Sequence, residues 1–309
     1  MKIVILGAGV QGTFYGVQLA LAGHLVTLIA RDGRAAELRS QGAAIEHALS
    51  GHRSHQQLPV VEDLNPSIQA DVCLVTVRRE QLESVLPAIA AARGIDRVVF
   101  MVNHACDSTR LFAVLERRRV VLGFPCVAGG IENGVCRYVD VKEQPTALEA
   151  SARDIAKLFR TAGLKVTLVA DMESWLRRHV IFVTAVSGAL YEVAGDAHRL
   201  ASDKNRVRRL ILAIREGWMG LDRCSVAPAP LALRAIFQWV PLTVAVRYWS
   251  RLLDSPRGEY YFARHARHAA REMEALAADI RALIPVGTAP LLRELYCAID
   301  RTARASRAS

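Results

Sequence analysis

Three observations predict an α/β chain in two parts, a doubly wound parallel sheet followed by an all-helical region. The first is the N-terminal stretch Lys2 to Arg31, KIVILGAGVQGTFYGVQLALAGHLVTLIAR, which reads as strand, tight turn, helix and second strand. The second is the alternation of short apolar runs with amphipathic segments as far as Val169, joined by short connections. The third is the loss of that alternation beyond Asp171, where only helical periodicity remains. At 309 residues the chain exceeds what one hydrophobic core usually organises. The boundary is placed near residue 170, dividing the chain into 1-170 and 171-309.

Taken in order, Ile3 to Leu6 is a β-branched run that meets Gly7-Ala8-Gly9-Val10-Gln11-Gly12, and apolar residues then recur at helical spacing to Leu21. Glycines in this pattern between a strand and a helix are the fingerprint of a Rossmann-type dinucleotide site. Gly7 allows the turn, Gly9 lets backbone approach a pyrophosphate, and Gly12 lets the helix pack close to the strand. Val10 and Gln11 fall in the first helical turn, whose free N–H groups suit phosphate. After the second strand, Leu25 to Ala30, a nicotinamide site for the unphosphorylated cofactor would carry an acid for the ribose hydroxyl. Arg31 stands there instead, with Arg34 three residues on, which favours a 2′-phosphate and therefore NADP. Asp32 between them reads as a polar turn residue.

Arg34 to Gln41 is a short helix, and the polar, histidine-rich stretch Ala43 to Val61 a small hairpin. Val72 to Val77 is a continuous apolar run of the buried parallel kind, ending at Arg78. The helix Glu80 to Ala92 carries Gln81, and the strand Arg97 to Val102 ends at Asn103. A helix from Asp107 to Arg118 finishes in the solvated run Arg117-Arg118-Arg119, before the strand Val120 to Phe124. Arg31, Arg78 and Asn103 thus all lie at carboxyl ends of strands, where open α/β sheets bind ligands. Cys126 to Val141 suggests an antiparallel extension, Ala147 to Thr161 a helix, and Lys165 to Val169 a last strand. Trp175 to Val193, Asn205 to Asp222 and Glu259 to Leu283 then follow as helices, and the Arg/Ala/Ser tail from Arg301 reads as frayed.

Composition narrows the function classes. Hydrophobic content of 52% with 23% charged residues describes a packed globular protein, and a formal net charge of +10 suits small anions such as NADP and carboxylates. No basic block interleaves with aromatics as in an RNA platform, so nucleic acid is not an expected partner. The six cysteines, Cys73, Cys106, Cys126, Cys136, Cys224 and Cys297, show no CxxC spacing and read as free thiols in a reducing compartment, with no metal site. The chain opens directly on a core strand, leaving no room for a signal peptide. Its most apolar stretch, Val226 to Trp249, is interrupted by Pro228, Pro230, Arg234, Pro241 and Arg247, so no membrane span is expected. These readings point to a cytoplasmic protein, a monomer or homodimer.

With these pieces in order the chain resembles the ketopantoate reductase (2-dehydropantoate 2-reductase) family across nearly its whole length. The resemblance rests on Gly7, Gly9 and Gly12, on Arg31 after the second strand, on Arg78 with Gln81, and on Asn103. It implies an NADP-binding Rossmann domain, a helical domain of the 6-phosphogluconate dehydrogenase type, and reduction of a 2-oxo acid. It also implies that Arg78 and Gln81 lie near the cofactor and that Asn103 contacts substrate or nicotinamide. The family places a catalytic lysine on the first long helix of its second domain, but Trp175 to Phe182 contains none. Arg177, Arg178 or His179 takes its place, and counting back from Ser187-Gly188-Ala189-Leu190 selects His179. Glu259 matches the family's substrate-binding glutamate. Pro241-Leu242-Thr243-Val244 replaces a serine-rich segment, and His104 follows Asn103 in place of glycine.

The chemistry so implied needs a hydride donor, a group that protonates or stabilises the developing alkoxide, and a cation for the carboxylate. An imidazolium at His179, with an unperturbed pKa of about 6.5, would serve the second need, with Asn103 orienting the carbonyl or the nicotinamide and Glu259 holding substrate hydroxyl or amine groups. Equally available readings make His179 a packed core residue and Glu259 a helix-start carboxylate. The leading function is an NADPH-dependent reductase of a small 2-oxo acid, best ketopantoate. Two alternatives stand beside it: a reductase of a larger ketone or imine lined by Ala227 to Trp249, and an NADP-binding protein without catalysis.

Overall fold

The computed structural model describes all residues except 106, 107, 142, 143, 225, 227–233, 235–237 and 309. Cys106, the first residue of the expected Asp107 helix, and most of the Ala227 to Trp249 segment before Gln238 lie outside the described residues. Two compact units emerge: Met1–Val102 with Asp107–Met172, and Asn103–Cys106 with Glu173–Ser309.

The first unit contains an eight-stranded sheet. Its core is parallel: β1 (Lys2–Leu6) lies between β2 (Leu25–Ile29) and β6 (Ala70–Val75), followed outward by β7 (Ile95–Phe100) and β8 (Val120–Phe124). β5 (Val60–Val61) closes one edge beside β2. On the other edge β11 (Thr146–Glu149) runs antiparallel to β8 and parallel to β12 (Val166–Val169). The unbroken apolar runs of β1 and β6 are buried as strands covered on both faces must be.

A second sheet of four strands takes up the polar stretches. The hairpin β3 (Ala43–His47) and β4 (Arg53–Gln56) joins β9 (Val127–Glu132) and β10 (Val135–Asp140) through parallel pairing of β3 with β10. The helix α1 (Val10–Leu21) touches strands of both sheets. That position explains why Gly12 to Val17 are buried without a polar face. Phe14 lies 4.7 Å from the Tyr138 ring, and the Tyr15 hydroxyl shares a 2.6 Å hydrogen bond with Thr146 Oγ1.

Several local expectations are corrected. The tail from Arg301 is not frayed but continues the helix Pro290–Ala308, and the helix expected from Asp107 to Arg118 is confined, among the described residues, to Thr109–Val114. Ala147 does not begin a helix: Thr146–Glu149 is a buried strand, and the helix starts at Arg153, because pairing on both sides outweighs helix propensity. Arg117-Arg118-Arg119 is not a uniformly solvated helix end. Arg119 is 8% exposed and donates to the carbonyls of Ile95 and Ala92, while Arg117 pairs with Glu149 at 3.0 Å. Glu259 to Leu283 is not one helix: a π-helical turn, Glu259–Ala263, and Arg264–His268 precede a break at Ala269 and the helix Ala270–Leu283.

The second unit is helical, with no strand among its described residues. Its long elements are α6 (Met172–Tyr191), α8 (Lys204–Asp222), Leu242–Leu253, Ala270–Leu283 and Pro290–Ala308. Trp218, Leu276, Leu295 and Tyr296 centre its core, to which Ala105 also belongs. The Trp218 indole donates to the Arg178 carbonyl at 3.1 Å, and Thr184 Oγ1 lies 2.9 Å from the Tyr296 hydroxyl. Among the described residues no helix is long and apolar enough to cross a membrane.

Candidate functional site

In the first unit the candidate site is the turn from β1 into α1. Gly7 has φ +106°, open to glycine at little cost, and its carbonyl accepts a 2.6 Å hydrogen bond from Thr76 Oγ1. A Cβ on Gly12 would lie 2.0 Å from that same carbonyl oxygen, so helix and turn meet at a distance only glycine permits. Gly9 caps α1 with no side-chain hydrogen bond, and no acid occupies the first turn. A Cβ built on Gly9 meets no protein atom within 4 Å. Uncapped amides of Val10, Gln11 and Gly12, the positive end of the helix dipole and clear space above Gly9 fit a dinucleotide phosphate. Gln11 is anchored by its Nε2 on the Val127 carbonyl at 2.7 Å, while its Oε1 is buried with no hydrogen-bond partner among the described residues.

The two arginines beyond β2 have different situations. Arg31 is largely exposed and reaches Asp63, itself exposed, at 3.3 Å. Such a pair is worth at most about 1 kcal/mol and leaves the guanidinium available to a phosphate. Arg34 is occupied instead: it donates to the Ala8 carbonyl at 3.1 Å and to Thr13 Oγ1 at 3.0 Å, and pairs with Glu37. It braces the turn from below. Asp32 adopts φ +51° at the start of α2 (Asp32–Gln41). Past β6, the Gln81 carboxamide oxygen accepts from the Arg78 N–H at 3.1 Å, so Gln81 shapes the loop that carries the exposed Arg78 side chain.

The second unit holds Asn103, His179 and Glu259. Arg177 on α6 donates to the Ala105 carbonyl at 3.4 Å, tying the Asn103–Cys106 segment to the helix that carries His179. Asn103 Oδ1 is buried with no hydrogen-bond partner among the described residues, an acceptor awaiting a donor. Of the three residues that could stand for the lysine, Arg178 is 1% exposed and pairs with Asp222 at 2.7 Å, a structural role, and Arg177 is held by Ala105 and Glu173. His179 follows Arg178 on the same helix. Its ring stacks on Trp175 at 5.1 Å and meets the edge of Phe182 at 6.0 Å.

This environment sets the proton on His179. Burial pushes its imidazolium down to about 3, and the neighbouring His265 acts in the same direction, so the ring is neutral at pH 7. An acid role would therefore run through a neutral ring N–H, or through a proton gained when an anion arrives. Phe182 packs on Trp249 and on Phe262, at 5.5 and 5.8 Å. Glu259 opens the same π-helical turn as Phe262, but its carboxylate is engaged bidentately by Arg267, which also donates to the Gly195 carbonyl at 2.9 Å. His265 stands 3.7 Å from the buried carboxylate of Glu272.

Several of these residues escaped the sequence reading. Thr76 lay two positions before Arg78 at a strand end, and that position was its signal. Trp175, Phe182 and Phe262 show only helical apolar spacing, which any core residue shows. The His265 to Glu272 contact has no signal beyond a spacing of two turns.

Residues 3–150 match the family model Ketopantoate reductase PanE/ApbA. An uncharacterized oxidoreductase of Bacillus subtilis, YkpB, is 26% identical over 196 residues, which cover 61% of this chain and 64% of that protein. The chain spans 45 to 64% of the length of this and other curated relatives it matches. A PanE/ApbA family ketopantoate reductase from Ralstonia eutropha JMP134 superposes with a TM-score of 0.76 at 21% identity, over 99% of this chain and 100% of the other. A D-mandelate dehydrogenase solved with NADH and anilino(oxo)acetate gives 0.77 at 14% identity, over 99% of both chains. At these identities the likeness of the solved structures is one of fold.

Proposed function

We propose that this chain, which carries the ketopantoate reductase PanE/ApbA domain over residues 3–150, is an NADPH-dependent reductase of a small 2-oxo acid, with 2-dehydropantoate the first substrate to test. The match to that family model supports an oxidoreductase; the activity, cofactor choice and substrate together are our reading. The observation that carries the reading is the β1–α1 turn, where glycine geometry leaves a helix end open to a phosphate.

Gly7, Gly9, Val10, Gln11 and Gly12 would hold the pyrophosphate, Arg31 the 2′-phosphate, and Arg78 with Gln81 the next stretch of the cofactor. When bound, the cofactor supplies the hydride. The protein must then orient the carbonyl and deliver one proton to the alkoxide. Asn103 supports the first task through its two ends: its buried, unpartnered Oδ1 would accept from a donor such as the nicotinamide carboxamide or a substrate hydroxyl, and its Nδ2 would donate to the carbonyl oxygen. His179 supports the second through its ring N–H, and the negative charge of a bound 2-oxo acid would raise its affinity for a proton. Glu259, locked to Arg267, would meet substrate hydroxyl groups only by sharing that guanidinium.

The test is loss of NADPH absorbance with 2-dehydropantoate and a panel of other 2-oxo acids, beside thermal-shift titrations with NADPH and NADH. Turnover of 2-dehydropantoate with NADPH preferred supports the reading. His179→Ala should then lower turnover about 10²- to 10⁴-fold, and unchanged turnover removes His179 from the mechanism. The ring cluster of Trp175, His179, Phe182, Trp249 and Phe262 favours a second reading, a bulkier ketone or imine; turnover confined to aromatic or branched substrates selects it. Stabilisation by NADPH with no turnover at all leaves a binding protein.

A further inference from the structure

The second unit contains a small cavity whose lining includes neither Asn103 nor His179. Its volume is about 140 Å³, and it is lined by His198, Ala201, Ser202, Lys204, Ser250, Arg251 and Asp254. The lining comes from α7 (Ala197–Ser202), the first residue of α8, and the last turn of the Leu242–Leu253 helix with its cap.

Two features set the cavity apart from an ordinary surface dent. Ser250 is 3% exposed, yet its hydroxyl has no hydrogen-bond partner among the described residues. A serine inside a helix normally returns its hydroxyl to a carbonyl one turn back, as Thr184 does to Val180 at 2.6 Å. Ser250 does not, and a buried hydroxyl without a partner is costly unless something fills the position.

The second feature is charge. The lone acid of the lining, Asp254, is taken up by the His198 ring. Arg251 has no acidic partner among the described residues, and Lys204 contacts only the Ala201 carbonyl, at 3.4 Å, which leaves ammonium donors to spare. A cavity with two uncompensated cations and a dry hydroxyl selects an anion with several acceptor oxygens. Its volume of about 140 Å³ is ample for a tetrahedral oxyanion.

We propose that this cavity binds a phosphate group, free or as the head of a small phosphomonoester, with Lys204 and Arg251 neutralising its charge and the Ser250 hydroxyl donating to one oxygen. The site is independent of the reductase reading and contains none of the residues assigned there. An occupant would join α7 and α8 to the Leu242–Leu253 helix.

The experiment is calorimetric titration of the whole chain with inorganic phosphate and with methyl phosphate, at constant ionic strength and with saturating NADPH to cover the β1–α1 turn. Parallel titrations use the K204M/R251M variant and, separately, Ser250→Ala. Binding that weakens at least tenfold in K204M/R251M and severalfold in Ser250→Ala supports the site. Equal binding of methyl phosphate assigns it to esters, and binding of phosphate alone assigns it to the free ion. Phosphate affinity unchanged in K204M/R251M, or no binding of either probe to the parent chain, overturns the proposal. Because Lys204 and Arg251 are exposed, the variant should fold, and an unchanged melting temperature without phosphate checks that it does.

Discussion

The β1–α1 turn and the surroundings of His179 are built from different materials. The turn is backbone, with a positive φ at Gly7, a helix end at Gly9 and a carbonyl against Gly12, and the side chains of Thr76 and Arg34 serve only to brace it. The surroundings of His179 are all side chain, brought from α6, the Leu242–Leu253 helix and the π-helical turn. A backbone site is fixed by a few consecutive residues and tolerates no added atom. A side-chain site is assembled across the sequence, so one member can be exchanged while its neighbours keep their places.

The largest expected effect attacks the turn. Gly12→Val drives carbons into the Gly7 carbonyl and should cost about 3 kcal/mol of stability as well as NADPH binding, measured by chemical denaturation and thermal shift. Gly9→Ala sharpens the contrast. Its Cβ meets open space, so stability should hold while NADPH affinity falls about tenfold or more, the added methyl occupying room meant for phosphate. If both variants lose equal stability and keep NADPH, the turn does not bind it.

The next largest effect lies in α6. Arg178→Ala removes a buried guanidinium from Asp222 and from the Trp218 ring 5.7 Å away, and should cost about 2–4 kcal/mol while leaving nucleotide affinity unchanged. His179 should make itself felt through acid. The unfolded chain takes up a proton near pH 6.5 that the folded ring refuses until about 3, so stability falls as pH drops through that window. Between pH 7 and 5 this amounts to at most about 2 kcal/mol, less in so far as the ring is partly exposed. His179→Phe should flatten that loss, compared by denaturant titration at the two pH values; an identical slope in both proteins would show that another group carries the acid limb. The smallest effect belongs to Arg31, whose replacement by Ala should lower NADPH affinity about tenfold and leave NADH affinity alone.

The same contrast governs what could be read in advance. The Lys2 to Arg31 stretch announced its strand, turn and helix because local geometry and periodicity suffice there, and the helical character of the second half was equally plain. Thr146–Glu149 was taken for helix because its strand identity comes from partners about twenty residues away on either side. Arg34 looked like a second phosphate ligand and proved to be a brace, since nothing local reveals that the Ala8 carbonyl lies within its reach. The proton state of His179 was unreadable for the same reason: His265, which helps to displace its proton, lies on another helix.

Ala105 carries a consequence for how the protein is made. Four residues, Asn103–Cys106, are synthesised in the middle of the first unit yet belong to the second, where Ala105 is wholly enclosed. A ribosome therefore releases this piece about seventy residues before Arg177, which holds the Ala105 carbonyl, and well before the C-terminal helices of the core it joins. A fragment beginning at Glu173 lacks a piece of its own interior, and one ending at Met172 carries a piece of someone else's.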